Sequence, residues 1–183
     1  MIKPNLEILS DQDLDIVLGF LRGGLRAPDL TIAPDGRPYL LRWYLVPRND
    51  LANCYLHVQL ADDPERPMHD HPWDNQSTIL AGGYRELYSR VPSNSLRDAE
   101  RCLAPGDTVQ RRAEEAHRLL LAPGAVYSIS LFTTGRHRRD WGFWYEEPEF
   151  GKRKWISQQE VIVSLPDGRS IFKDRTHGAA RNE

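Results

Sequence analysis

Residues 68–73 read Met68-His69-Asp70-His71-Pro72-Trp73, two histidines one residue apart and a proline directly after. Side chains at i and i+2 of a strand point to the same face, so His69 and His71 can present both imidazoles to one point. The run Asp62-Asp63-Pro64-Glu65-Arg66-Pro67 before them and Pro72 after them restrict the backbone on either side. Two neutral imidazoles converging in this way chelate zinc, iron, nickel or manganese. Alone the pair is weak, because surface histidines and hydrogen-bonded core histidines share the spacing.

Outward from the pair the pattern sharpens. A strand-like run ends in Ile79-Leu80-Ala81-Gly82-Gly83; a Pro105-Gly106-Asp107 turn follows, then a short strand and an isolated His117. This order resembles the cupin superfamily, whose first motif runs from His-x-His past a glutamate to a glycine. Its second motif runs from a Pro-Gly-Asp turn to a third histidine. The match covers roughly residues 60–130. The resemblance implies a jelly-roll barrel with one divalent metal ion inside, held by His69, His71 and His117.

The chain departs from the commonest cupin pattern at the glutamate, where Asn75 and Gln76 stand. A neutral amide is a poor ligand, which leaves three histidines with water or substrate completing the coordination. That points away from manganese decarboxylases and towards three-histidine iron enzymes, of which the thiol dioxygenases are similar in layout. In those enzymes an arginine on an earlier strand binds the substrate carboxylate, and Arg42 stands at a similar spacing here. Ser130 and Phe132 occupy the places of that family's relay histidine and tyrosine, and Gln76 that of the crosslinking cysteine of some members. The resemblance therefore extends to scaffold and metal but not to the surrounding chemistry, which argues against cysteine itself as substrate.

The rest of the chain fits an all-β domain with a short N-terminal helix. Ser10 can cap a helix over about 10–24, with Asp11 and Asp13 in its first turn, apolar Leu14, Val17, Leu18 and Leu21 at helical spacing, and Gly23-Gly24 as a stop. Strand-like runs follow at 39–46, 54–60, 77–81, 84–88, 108–111, 118–121, 126–132, 142–145 and 161–164, separated by glycine and proline turns. In 54–60 strict alternation puts Cys54, Leu56, Val58 and Leu60 on one face and Tyr55, His57 and Gln59 on the other. Many short strands without alternating helices predict a sandwich or barrel. We expect one domain over 1–183, a barrel over about 38–172 and a loose tail over 173–183.

At 183 residues, 40% hydrophobic and 27% charged, the composition is that of one ordinary globular domain. A net charge of −2 with scattered Lys and Arg gives no basic footprint for nucleic acid and no polybasic patch for a membrane. The four residues 136–139 form a short basic run that fits a solvated face. Cys54 and Cys102 make neither a metal-type pair nor a disulfide framework, which fits a reducing cytoplasm. The first residues show no signal-peptide or membrane-spanning pattern. A small-molecule ligand is the expected partner, and a homodimer is compatible with the sequence.

Around the three histidines, His57, Trp73, Ser130 and Arg42 are the candidates to touch a substrate. Three of them have an ordinary alternative: a surface histidine for His57, core packing for Trp73, surface ion pairing for Arg42. Arg48 and Arg139 are further candidates for a carboxylate clamp. Asp70 fits a structural acceptor beside the ligands, and Glu86 a carboxylate entering the cavity too far along the chain to replace the missing ligand. Three neutral donors leave Fe(II) with open positions for substrate and dioxygen, the pattern of a mononuclear non-haem oxygenase acting on a small carboxylate or thiol. A binding module without turnover, and a zinc or nickel lyase or isomerase, fit the same residues.

Overall fold

The computed structural model describes residues 6–22, 24–33, 36–63, 67–147, 151–164 and 170–172. The expected tail over 173–183 lies outside them. Helix α1 (Asp11–Phe20) begins as its sequence dictates: the Ser10 hydroxyl accepts the Asp13 N–H at 3.2 Å, and Asp11 and Asp13 sit at the positive end of the dipole. It ends at Phe20, with the Leu21 N–H returning to the Val17 carbonyl, a turn earlier than the glycines predict.

The strands follow in order: β1 (Leu30–Ile32), β2 (Leu40–Tyr44), β3 (Asn53–Gln59), β4 (Met68–His69), β5 (Asn75–Ala81), β6 (Tyr84–Ser89), β7 (Asp98–Leu103), β8 (Thr108–Arg111), β9 (Ala116–Leu121) and β10 (Ser128–Thr134). Beyond them lie β11 (Gly142–Glu147), β12 (Lys152–Ser157), the four-residue helix α2 (Gln158–Val161), β13 (Ile162–Ser164) and β14 (Ser170–Phe172). Two six-stranded antiparallel sheets result, ordered β1-β2-β3-β10-β5-β8 and β12-β11-β4-β9-β6-β7. Within them β3-β10-β5-β8 faces β4-β9-β6-β7, the strand order of a double-sheet jelly roll. The all-β jelly roll read from the sequence is therefore present, with one correction. The sheets do not close into a barrel: among the described residues each keeps two free edges, and the two meet through side chains rather than a shared ladder.

Alternation then sorts the side chains. Leu41 and Trp43 of β2, Leu56 and Val58 of β3 and Ile129 of β10 face outward onto Val17 and Leu21 of α1, forming one core beneath the helix. Their neighbours Arg42, Tyr44, Tyr55, His57, Ser130 and Phe132 face inward, as the direct pairs Arg42–His57, Tyr44–Tyr55, Ser130–His57 and Phe132–Tyr55 require. On the second sheet the pairs His69–His117, His117–Tyr88, Leu119–Glu86 and His69–Phe143 place those side chains on its inner face. One end of the space between the sheets is apolar, filled by Ile79, Tyr84, Leu103, Val109 and Leu119. The other is polar and aromatic. Between β5 and β6 the chain reverses at Gly82-Gly83 with φ of +69° and +122°; a Cβ on Gly82 would lie 2.2 Å from the Tyr127 carbonyl oxygen, so only glycine fits there.

Candidate metal centre

His69 ends β4, His117 stands directly opposite it on β9, and His71 follows two residues after His69. The expectation that both members of the pair share a strand is corrected here: β4 stops at His69, and His71 lies past its end, where its N–H bonds the Ala113 carbonyl at 3.2 Å. The turn still delivers its ring. The ligand atoms of the three histidines lie within 4.8 Å of one another, with ring centroids 4.8 to 5.2 Å apart.

Glu86 explains the aim of His117. The His117 Nδ1–H donates to Glu86 Oε1 at 2.6 Å, which leaves its Nε2 as a lone pair turned towards the cluster, 2.9 Å from Nε2 of His71. Two imidazole nitrogens that close need a proton or a cation between them. Glu86 is fully buried and also accepts from Arg111 Nε at 2.5 Å and Arg101 Nε at 2.6 Å. Arg111 comes from β8 of the facing sheet and further donates to Asn75 and Ser77, so the group that orients His117 is also a tie between the sheets. Burial would raise the Glu86 carboxyl, but the His117 and Arg111 contacts outweigh it and hold the group far below the usual carboxylate range.

Burial also keeps His71 and His117 neutral. It pushes His71 well below its ordinary value, helped by the repulsion that a second proton beside His117 would meet and by the Arg111 and Arg42 charges. His117 falls to about 4, through burial and then Arg111, with Glu86 pulling the other way. Neutral imidazole is the form that binds metal, so these three residues fit a divalent ion as a donor set. The side-chain oxygens of Asn75 and Gln76 are engaged elsewhere: Asn75 accepts from Arg111, and Gln76 accepts from Gln110 at 3.0 Å.

Asp70, between the two ligands, points away from them into a buried nest of donors. It accepts the Gly142 N–H at 2.7 Å, Arg139 at 2.8 Å, and the indoles of Trp155 at 3.0 Å and Trp144 at 3.2 Å. Arg139 thus serves a structural carboxylate rather than a ligand. Trp73 stacks on His71 with centroids 5.2 Å apart and an angle of 20°, and Phe132 bridges from Trp73 and His71 to His57.

Arg42 faces inward and is partly buried, with its Nε–H donating to His57 Nε2 at 2.8 Å and its guanidinium 4.8 Å above the Tyr55 ring. Burial and then the Arg42 charge put His57 well below its ordinary value, so it is neutral and carries its proton on Nδ1. Ser130 is buried beside it on β10. Sequence reasoning put His57 on one face with Tyr55 and Gln59 and left the direction of Arg42 open. It missed Arg101 and Arg111, whose burial follows from strand pairing far along the chain. The one available signal was the spacing of Glu86 from Tyr84 and Tyr88, which puts it on their face.

No protein-family model and no curated protein matches the chain. Solved structures align with part of it. An Fe(II) form of HppE with the alternative substrate (S)-1-HPP aligns at 17% identity and a TM-score of 0.48, over 60% of this chain and 58% of that one. The DMSP lyase DddQ from Ruegeria pomeroyi aligns at 20% and 0.44, over 61% and 54%. Hydroxypropylphosphonic acid epoxidase from S. wedmorenis aligns at 18% and 0.44, over 69% and 75%. The chain spans little more than half of the first two, and likeness at this level carries neither an activity nor a ligand to it.

Among the described residues no helix is long and apolar enough to cross a membrane.

Proposed function

We propose that this chain is a mononuclear non-haem iron enzyme, a dioxygenase acting on a small anionic substrate. The observation that carries the reading is the donor set: three convergent histidines, with the buried carboxylate beside His117, Glu86, engaged by His117 and two arginines instead of offered to an ion. An Fe(II) ion on such a set keeps its full charge and has coordination positions left for substrate and dioxygen, which is the chemistry it would supply. With both oxygen atoms transferred to the substrate, the substrate supplies all the electrons and no external reductant is required.

The protein's own groups have separable tasks in this reading. Glu86 holds the His117 tautomer. Trp73 and Phe132 flank His71 and limit water around the cluster. Arg42 grips the anionic end of the substrate, with His57 fixing the guanidinium from one side and Ser130 lining the same face. The test is metal analysis of protein purified without added metal, then oxygen consumption by the Fe(II)-loaded protein across small carboxylic acids and thiols. One ion per chain and stoichiometric oxygen uptake are expected. Zinc or nickel retained in preference to iron, with no oxygen uptake, would replace the oxygenase by Lewis-acid chemistry on the same ligands.

A further inference from the structure

Tyr44 and Tyr55 are direct cross-strand partners with ring centroids 5.4 Å apart, and each carries a guanidinium on its face. Arg42 lies 4.8 Å from the Tyr55 centroid and Arg48 lies 5.5 Å from that of Tyr44. Arg48 reaches back from the exposed loop after β2, whereas Arg42 is partly buried on the inner face. Neither has a carboxylate partner among the described residues. That is unusual company for Arg42, because a guanidinium withdrawn from water ordinarily sits against an acid. Four other buried or partly buried arginines do: Arg101 and Arg111 are on Glu86, Arg139 is on Asp70, and Arg153 is on Asp98. His57 satisfies one Arg42 N–H, but it is neutral and brings no negative charge. The Arg48 charge adds to burial in making the charged form of Arg42 less favourable.

We propose that Arg42 and Arg48, seated on Tyr55 and Tyr44, form a two-guanidinium subsite for a doubly charged anion, so that the substrate ends in a phosphate-type dianion rather than a single carboxylate. The proposal rests on the reading of Arg42 as the grip on an anionic substrate, and it names the class of that anion. The charge count decides the class. A monocarboxylate would neutralise one of the two cations and leave the other facing it. A compact dianion matches both, and its several oxygens accept from two forks at once. The tyrosine rings hold the guanidiniums in place from behind without competing for their N–H donors.

The test is calorimetric titration of the full chain with inorganic phosphate at about pH 8, where it is doubly charged, and with acetate at matched ionic strength. Each titration is run on metal-loaded and chelator-stripped protein, with metal content measured separately. Phosphate should bind at least about tenfold more tightly than acetate, with the preference retained in stripped protein. Arg48→Ala should bring the ratio close to one while leaving acetate binding largely intact. Arg42→Lys, which keeps the charge but loses the fork, should weaken both anions. Equal affinity for the two anions in the wild type would overturn the proposal, as would phosphate binding unchanged in both variants. A preference confined to metal-loaded protein would also overturn it, by placing phosphate on the ion. Loss of the metal reading would instead appear in the metal analysis alone, with the anion preference untouched.

Discussion

His117 meets the cluster through Nε2 because its Nδ1–H is held by Glu86, and that single hydrogen bond fixes which nitrogen is available. Glu86→Gln tests it with little change of shape. An amide retains an acceptor oxygen but not the charge, and Arg101 and Arg111 then lose their counter-ion. Metal affinity, measured by competition with a chelator, is expected to fall about 10–100-fold, the range seen when the partner of a ligating histidine is removed. Thermal unfolding of the same variant should show a loss of about 3 kcal/mol or more, since a buried ion pair broken on one side leaves the other charge uncompensated. Unchanged metal affinity beside that stability loss would make Glu86 a tie between the sheets and nothing more. The contrast also shows what was legible at this scale. His69, His71 and His117 could be picked out because spacing on a strand and the turn order carry their chemistry. Arg111 could not, because Val109 marks that side of a four-residue strand as the inner one but a lone arginine beside it gives no sign of the buried carboxylate it meets on the facing sheet.

The elements divide into those whose sequence matches their surroundings and those that are strands only because a neighbour pairs with them. β3 alternates cleanly, so its two faces were read correctly before any pairing was known. β7 (Asp98–Leu103) and β12 (Lys152–Ser157) are edge strands with charged residues and little apolar pattern, and they were missed for that reason. β4 is two residues long; what holds its continuation in place is Asp70, which ties the turn to β11 and β12 through Gly142, Trp144 and Trp155. Asp70→Ala should therefore do two things at once. It strands a backbone N–H, two indoles and a guanidinium, costing several kcal/mol in chemical denaturation, and it loosens the path between His69 and His71, weakening metal binding. Helix α1 supplies the control, because it packs on the outer face of the first sheet, away from the histidines. Ser10→Ala removes its cap and should cost about 1 kcal/mol with metal affinity unchanged. A metal defect in Ser10→Ala would mean that the two regions are coupled in a way that their packing does not account for.

At the scale of the whole molecule, the polar end of the space between the sheets makes stability depend on pH in a direction that can be worked out. His57 and His117, buried, and His71, half-buried, are neutral in the folded chain, with proton affinities below the ordinary value of 6.5 that they regain on unfolding. Between the two values the unfolded chain binds more protons than the folded one, so stability falls as pH falls. Their contribution is fully present above pH 6.5. For His117 it is lost progressively as the pH drops to about 4, which corresponds to roughly 3 kcal/mol at about 1.4 kcal/mol per pH unit. His57 and His71 act in the same direction. Glu86 takes over below: its carboxyl is ionised in the fold far under the ordinary 4.5, so its share is lost as the pH falls through and beneath that value. Chelator-stripped protein should accordingly show a denaturation midpoint that is flat from pH 8 to 7 and declines steadily below 6.5, steepening past 4.5. A bound divalent ion changes the first part of this curve. It binds only the neutral imidazoles of the folded chain, and free ion at about a thousandfold over its dissociation constant adds about 4 kcal/mol. Loaded protein should therefore lie above stripped protein at pH 7, with the gap narrowing as protons compete with the ion for its imidazole ligands. In His117→Ala the gap should largely vanish and the loss between pH 6.5 and 4 should become shallower. A stripped protein whose stability is independent of pH across that window would show that these histidines are not held neutral by the fold, and the donor set proposed for the ion would lose its basis.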